Sequence, residues 1–153
     1  MKAIYCPLIF ILFISISECN SSKQTVTPPN IVAEAFKTKF PEVQKVSWSN
    51  EDSGKFEADF KLKDRNFSAD FSPIGQWILT EKKIIVSELP ATVNRTLEDG
   101  FGDYNVASVY AVETAANKNY FKVKLANRQE IKYVNLSYDG VIQDKEESEK
   151  EED

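Results

Sequence analysis

The sequence predicts an α+β fold made of tandem duplicated helix-plus-antiparallel-meander repeats, with the helices packed on one face of the sheet. Three observations predict it. Apolar and punctuating residues recur as an ordered series at offsets of 61 to 65. Each series opens on an apolar stripe with helical spacing. Each continues into segments in which apolar and polar residues alternate with period two.

The series begins at Pro29, Val32, Phe36 and Phe40, which recur as Pro90, Val93, Leu97 and Phe101. Trp48 then corresponds to Tyr110, and Phe56, Phe60, Phe71 and Gly75 to Phe121, Leu125, Leu136 and Gly140. The drift in offset implies small insertions in the loops of the second copy. Repeat one therefore spans 28–83 and repeat two 84–144.

The first helix is expected to be capped by Thr27, with Pro28 at its first position, where a missing N–H costs nothing. Val32, Phe36 and Phe40 fall at i, i+4 and i+8 on one stripe, with Ala33 and Ala35 beside it. Pro41 stops that helix. The second opens near Pro90, carries Val93, Leu97 and Phe101, and ends at Gly100 or Gly102.

Strands are expected over 43–48 and 105–112. Cleaner alternation marks 56–63, 67–71 and 121–125. Alternation gives each strand one dry and one wet face. Asp64-Arg65-Asn66 and Asn127-Arg128 sit where tight hairpin turns belong. Ser72-Pro73-Ile74-Gly75 and Tyr138-Asp139-Gly140 turn each copy into a short last strand. The dry faces must be buried, and one amphipathic helix per copy can cover them. The opposite face is left polar and solvent-facing, a broad platform.

The chain has 153 residues, 19 basic and 24 acidic, for a formal net charge of -5. Residues 144–153 hold seven acids and two lysines, so the remainder is neutral and mixed in sign. Residues 145–153 read as an acidic, disordered tail. No basic patch is present, which argues against nucleic acid as a partner. Histidine is absent, excluding His-based triads, metal sites and pH switches. Two cysteines are too few for a disulfide framework or a four-Cys zinc site. Gly100-Phe101-Gly102 ends a helix and is no phosphate loop. The acidic tail lacks the spaced ligands and Gly turn of an ordered calcium site. No metal and no cofactor are expected.

Met1-Lys2-Ala3 followed by an apolar run from Ile4 to Ile14 reads as a signal peptide over 1–19, too short to span a membrane. Ile16-Ser17-Glu18-Cys19 resembles a bacterial lipobox, which makes Cys19 the candidate lipidation site. Ser15 and Ser17 offer ordinary cleavage after Ser17 instead, so a lipoprotein and a soluble secreted protein are both open. Either way the protein is expected to be exported, to the periplasm or as an outer-membrane lipoprotein. Membrane contact is expected only through the lipid. Residues 20–27 read as a linker. Sequons beginning at Asn20, Asn66, Asn94 and Asn135 carry little weight, since chance matches are common and the lipobox resemblance points to bacteria.

Phe40-Pro41-x-Val43-x-x-Val46-x-Trp48, the strand from Phe56 to Phe60, Phe71-x-x-x-Gly75-x-Trp77, and Ile84 with Leu89-Pro90-x-x-Val93 together resemble the PepSY-like domain. That family is also described as similar to β-lactamase-inhibitor protein. The resemblance runs from about Pro28 to Asp144. It implies an envelope protein that binds or inhibits a protein or peptide through its sheet. The second copy has Tyr110 in place of Trp and Gly102 in place of Pro.

The polar face supplies the candidate site residues. Glu57, Asp59 and Lys61 share one strand face, and Tyr120, Lys122 and Lys124 form the matching face of the second copy. Tyrosine and lysine on an open sheet can anchor a protein partner. Glu57 and Asp59 could also act as a carboxylate pair in a hydrolase, but Lys55, Lys61 and Lys63 around them fit a solvated mixed-charge face. Trp48 and Trp77 are expected in the core. No catalytic residue is assigned. The expected function is a non-enzymatic binding module of the bacterial cell envelope; a structural or stress-related envelope protein without a discrete ligand is the alternative.

Overall fold

A computed structural model describes residues 25–51 and 53–150. The signal peptide, Cys19, Asn20 and residues 20–24 of the linker lie outside the described residues, as do 151–153 of the tail. The elements run α1 (Asn30–Lys39), β1 (Val46–Asn50), β2 (Phe56–Leu62), β3 (Arg65–Phe71) and β4 (Trp77–Ile84). A 3-10 turn at Val86–Glu88 precedes α2 (Ala91–Phe101), followed by β5 (Asn105–Thr114), β6 (Tyr120–Ala126), β7 (Glu130–Leu136) and β8 (Ile142–Lys150).

The strands form one sheet in the order β1-β2-β3-β4-β5-β6-β7-β8, every neighbour antiparallel. This overturns the expected tandem helix-plus-meander repeats. The fold is mostly a single eight-stranded meander with two short helices. Its middle is β4 against β5, paired from Leu79↔Thr114 to Ile84↔Val109. Edge N–H and C=O groups must be satisfied, and these two strands satisfy each other although α2 separates them in sequence.

Both helices lie on one face of that sheet. Val32 and Phe36 of α1 pack with Trp48, Ala58, Phe60, Ala69 and Phe71. Val93 and Leu97 of α2 pack with Val109, Phe121, Val123, Leu125, Val134 and Leu136. Phe36 is the hub of the first cluster, with its ring centroid 5.2 Å from Phe60 and 5.4 Å from Trp48 in edge-on contacts. Trp77 is half-buried at the rim, with Lys39 Nζ 3.3 Å from its ring centroid.

Local boundaries differ from expectation in five places. Strand β1 runs Val46–Asn50 rather than 43–48, because pairing with β2 begins only at Val46↔Phe60. Helix α1 begins at Asn30, not Pro28, because extended Pro29 (φ -55, ψ 150) serves as N-cap and its carbonyl accepts from Val32 and Ala33. The β2–β3 hairpin turns at Lys63-Asp64, both with positive φ (49° and 61°), and Arg65 and Asn66 already belong to β3. A two-residue turn of this kind matches the strand twist. Residues 145–150, expected in the disordered tail, continue β8 and pair with β7 as far as Glu130↔Lys150, which satisfies the outer backbone of β7. Thr25 and Val26, expected in the linker, bridge to the open edge of β1: Thr25 pairs with Ser49, and Val26 N donates to Trp48 O at 2.9 Å.

The two turns between the last strands of each half press on the helices. Gly140 has φ 81°, and a Cβ there would lie 2.7 Å from the Thr92 carbonyl oxygen. Gly75 has φ 79° and stands in the same relation to Ile31. Only glycine tolerates both the backbone angle and the approach. Among the described residues no helix is long and apolar enough to cross a membrane.

Candidate functional site

The face opposite the helices is built by alternation. Helix-facing residues 56, 58 and 60 of β2 put Glu57, Asp59 and Lys61 on the other side. Register then fixes the rows that cross the strands. One row reads Asp59, Ser68, Glu81, Val112 and Tyr120. Two residues farther along β2, β4 and β6 come Lys61, Lys83 and Lys122, with Asn66 and Tyr110 between them. Beyond these, Ser108, Lys124 and Tyr133 are in register. On the other flank Glu57 faces Asp70. The face therefore grades along the strands, from acidic at the Glu57 end to basic and aromatic at the Lys124 end.

Its acidic end is not the wet platform expected. Glu57 is only 8% exposed and Asp70 6%. The reason is crowding by longer neighbours: Lys55 folds over the pair, its Nζ 2.8 Å from Asp70 Oδ2 and 3.0 Å from Glu51 Oε2. Ser49 Oγ also donates to Glu57 Oε2 at 3.4 Å. Oxygens of Glu51, Glu57 and Asp70 lie within 4.8 Å of one another, a cluster of metal-ligating type whose centre the Lys55 ammonium already addresses. Burial pushes the Asp70 carboxyl above the usual aspartate range; Lys55 opposes this, and Glu51 and Glu57 add to it. Burial works to lower the Lys55 ammonium, but its bonds to Asp70 and Glu51 outweigh that and hold it above the ordinary lysine value.

The centre and the basic end are joined by an ion pair. Lys122 Nζ lies 3.3 Å from Glu81 Oε1, linking β6 to β4. Glu81 is pushed above the usual glutamate range by burial, with Lys122 opposing. Lys122 and Lys124 flank the ring of Tyr133, at 5.8 and 5.6 Å from its centroid.

All six expected site residues with described positions share this face, in two groups. Glu57, Asp59 and Lys61 lie on β2; Tyr120, Lys122 and Lys124 lie on β6, four strands away, about 19 Å at the usual strand spacing. Sequence alone does not single out Asp70 and Glu81, which control the charge of the face, or Tyr110 and Tyr133, and it places Lys55 on a solvated face rather than over Asp70. The repeat pairs Tyr110 with core Trp48, but the structure places Tyr110 beside Lys83 and Lys122. A register shift between Val106 and Ser108 leaves Val109, not Tyr110, on the helix side. The phase of Val109 was the available signal.

A second polar cluster closes the far end of the sheet. The Tyr104 hydroxyl donates to Glu130 and accepts from Lys132, and Lys132 Nζ lies 2.7 Å from Glu130. It ties the loop after α2 to β7.

Residues 54–137 match the family described as "Putative beta-lactamase-inhibitor-like, PepSY-like". Solved structures share the fold. A Bacteroides eggerthii protein described as periplasmic is 20% identical, with a TM-score of 0.72 over 79% of this chain and 89% of that one. A DUF2874 family protein from Bacteroides ovatus is 23% identical, with a TM-score of 0.72 over 79% and 88%. A BLIP-like protein from Bacteroides fragilis is 17% identical, with a TM-score of 0.69 over 84% and 91%. No curated protein matches the chain.

Proposed function

Because this chain belongs to the PepSY-like, β-lactamase-inhibitor-like family, we propose that it is a non-enzymatic binding module of the bacterial cell envelope. Its polar sheet face docks a protein or peptide. The observation that carries this reading is the basic, aromatic end of the face. Tyr110 and Tyr133 stand there partly exposed, Tyr110 facing Lys122 and Tyr133 facing Lys124, and Tyr120 lies one row back on β6. Tyrosines give large contact area for little conformational entropy, and lysines stacked on them add directional charge.

Export is the other half of the proposal. The apolar run before Cys19 supports it, and so does the likeness to a protein described as periplasmic. Cys19 is the proposed site of the lipid anchor. Changing Cys19→Ser should abolish acyl-chain labelling and membrane retention; unchanged retention refutes the anchor.

Capture from envelope extract tests the face. The triple change Tyr120→Ala, Lys122→Ala and Lys124→Ala should lose the captured partner. Lys122 also pairs with half-buried Glu81, so a companion variant keeps Lys122 and changes Tyr120, Lys124 and Tyr133. A partner retained by both variants, each folded by circular dichroism, sinks this reading.

A further inference from the structure

The graded face is complementary to itself. Consider a two-fold axis lying across the strands, between the row of Asp59, Ser68, Glu81, Val112 and Tyr120 and the row of Lys61, Asn66, Lys83, Tyr110 and Lys122. Rotation about that axis lays a second copy face to face and sets each residue opposite the one two positions along the same strand. Asp59 then meets Lys61, Glu81 meets Lys83, Ser68 meets Asn66, and Tyr120 meets Lys122, while Val112, 2% exposed, stays beneath the surface. Each of these pairings is of opposite charge, of two hydrogen-bonding side chains, or of a cation with a ring. The pattern arises because β2, β4 and β6 run in the same direction, so acid-then-base on β2 and β4 falls in phase.

We propose that this face is the interface of a two-fold dimer, its occupant a second copy of this chain. The inference rests on reading the face as a protein-docking surface, and it names the partner. A simple polyanion fits less well, since Asp59 and Glu81 stand one i, i+2 step, about 7 Å, from the lysine row. A surface that carries both rows at that spacing fits, and this chain carries one. Area is sufficient. The seven strands β1 to β7, about 4.8 Å apart and crossed by four rows, give a face on the order of 900 Å2. A stable interface needs about 800 Å2 per partner. Isologous contact is also the commonest way for one chain to associate.

Sedimentation velocity of the mature chain, in detergent if it is lipidated, tests the proposal. Wild type should show a concentration-dependent dimer below about 100 µM. Lys61→Glu places two acids opposite each other in its own dimer, and Asp59→Lys places two bases. Each variant alone should dimerise at least about tenfold more weakly. An equimolar mixture restores every opposite-charge pairing and should return association to within about threefold of wild type. With Asp59→Lys fluorescently labelled and followed alone, Lys37→Glu, the same charge change on exposed α1, should not draw it into dimers as Lys61→Glu does. Circular dichroism confirms that each variant is folded. A wild type that stays monomeric overturns the proposal, whether or not it binds polyglutamate. A dimer indifferent to both reversals, or a mixture that fails to recover, also overturns it. Envelope capture by a monomeric wild type would leave the docking function standing without the dimer.

Discussion

Lys55 donates to Asp70 at 2.8 Å across a face of the sheet that alternation marks as wet, and Asp70 there keeps only 6% exposure. The pair is a buried charge and its counter-ion, and pH should reveal it. Asp70 titrates above its ordinary 3.8 when folded. The folded state therefore binds more protons than the unfolded one from the ordinary aspartate range up to the raised value. Stability from this group falls as pH rises through that window. Asp70→Asn should flatten that slope in urea denaturation between about pH 3.5 and 7. An identical slope in the variant would show that Asp70 is not the group responsible. Lys55 acts at the other extreme. Its pKa is raised from 10.5, so its stabilisation is complete below that value and is lost as pH rises through the folded one.

Glu88 gives the opposite sign. It accepts from the Ile85 N–H, and Arg65 Nη1 donates to both of its carboxylate oxygens, at 2.7 and 2.9 Å. These lower its pKa below 4.5, the Ile85 bond first and Arg65 next. Its contribution is present above 4.5 and is lost as pH falls through the depressed value. In a carboxyl NMR titration, Arg65→Ala should move Glu88 back toward the ordinary value without reaching it, because the Ile85 bond remains. No movement would mean the pairing is absent in solution.

Gly140→Ala should destabilise by about 2 kcal/mol or more, from the left-handed backbone and from the clash with the Thr92 carbonyl together. Gly54→Ala shares the positive φ but meets nothing within 4 Å, and should cost only about 1 kcal/mol. Chemical denaturation of the two separates clash from conformation. Equal losses would show that the Gly140 turn can move off α2.

Phe71 is fully buried beneath α1. Phe71→Ala should cost about 3–5 kcal/mol. Ile74, three residues on and 65% exposed, should tolerate alanine within about 0.5 kcal/mol. Thermal melts that rank the two alike would contradict the burial of this core.

Much of this structure was legible in local periodicity. Val32 and Phe36, and Val93 and Leu97, have the spacing of helix stripes and are buried as such. The alternation of Phe56 to Lys61 and of Phe121 to Leu125 places each residue on its correct face. Such patterns are legible because they depend only on 3.6- and 2-residue geometry. Glu57 shows the limit. Alternation puts it on the polar face, but not under Lys55 and opposite Asp70, because those contacts depend on the pairing with β3 and on the rotamer of the Lys55 side chain. Tyr110 was misread for a related reason. One register shift in β5 decides its face, and no residue type announces that shift.

By itself the sequence determined the elements, the apolar stripe of each helix and the dry and wet sides of each strand. It also carried the family, through turn and core residues such as Phe71, Gly75 and Trp77. Tertiary structure decided that β4 and β5 join the strands into one eight-stranded meander rather than two tandem units. It decided which carboxylates are buried, and that the acid and lysine rows run in phase across β2, β4 and β6. The physical reason is range. Side-chain direction within a strand is fixed by the backbone of that strand. Pairing between strands, and the charge rows it assembles, depends on hydrogen-bond register between segments far apart in the chain.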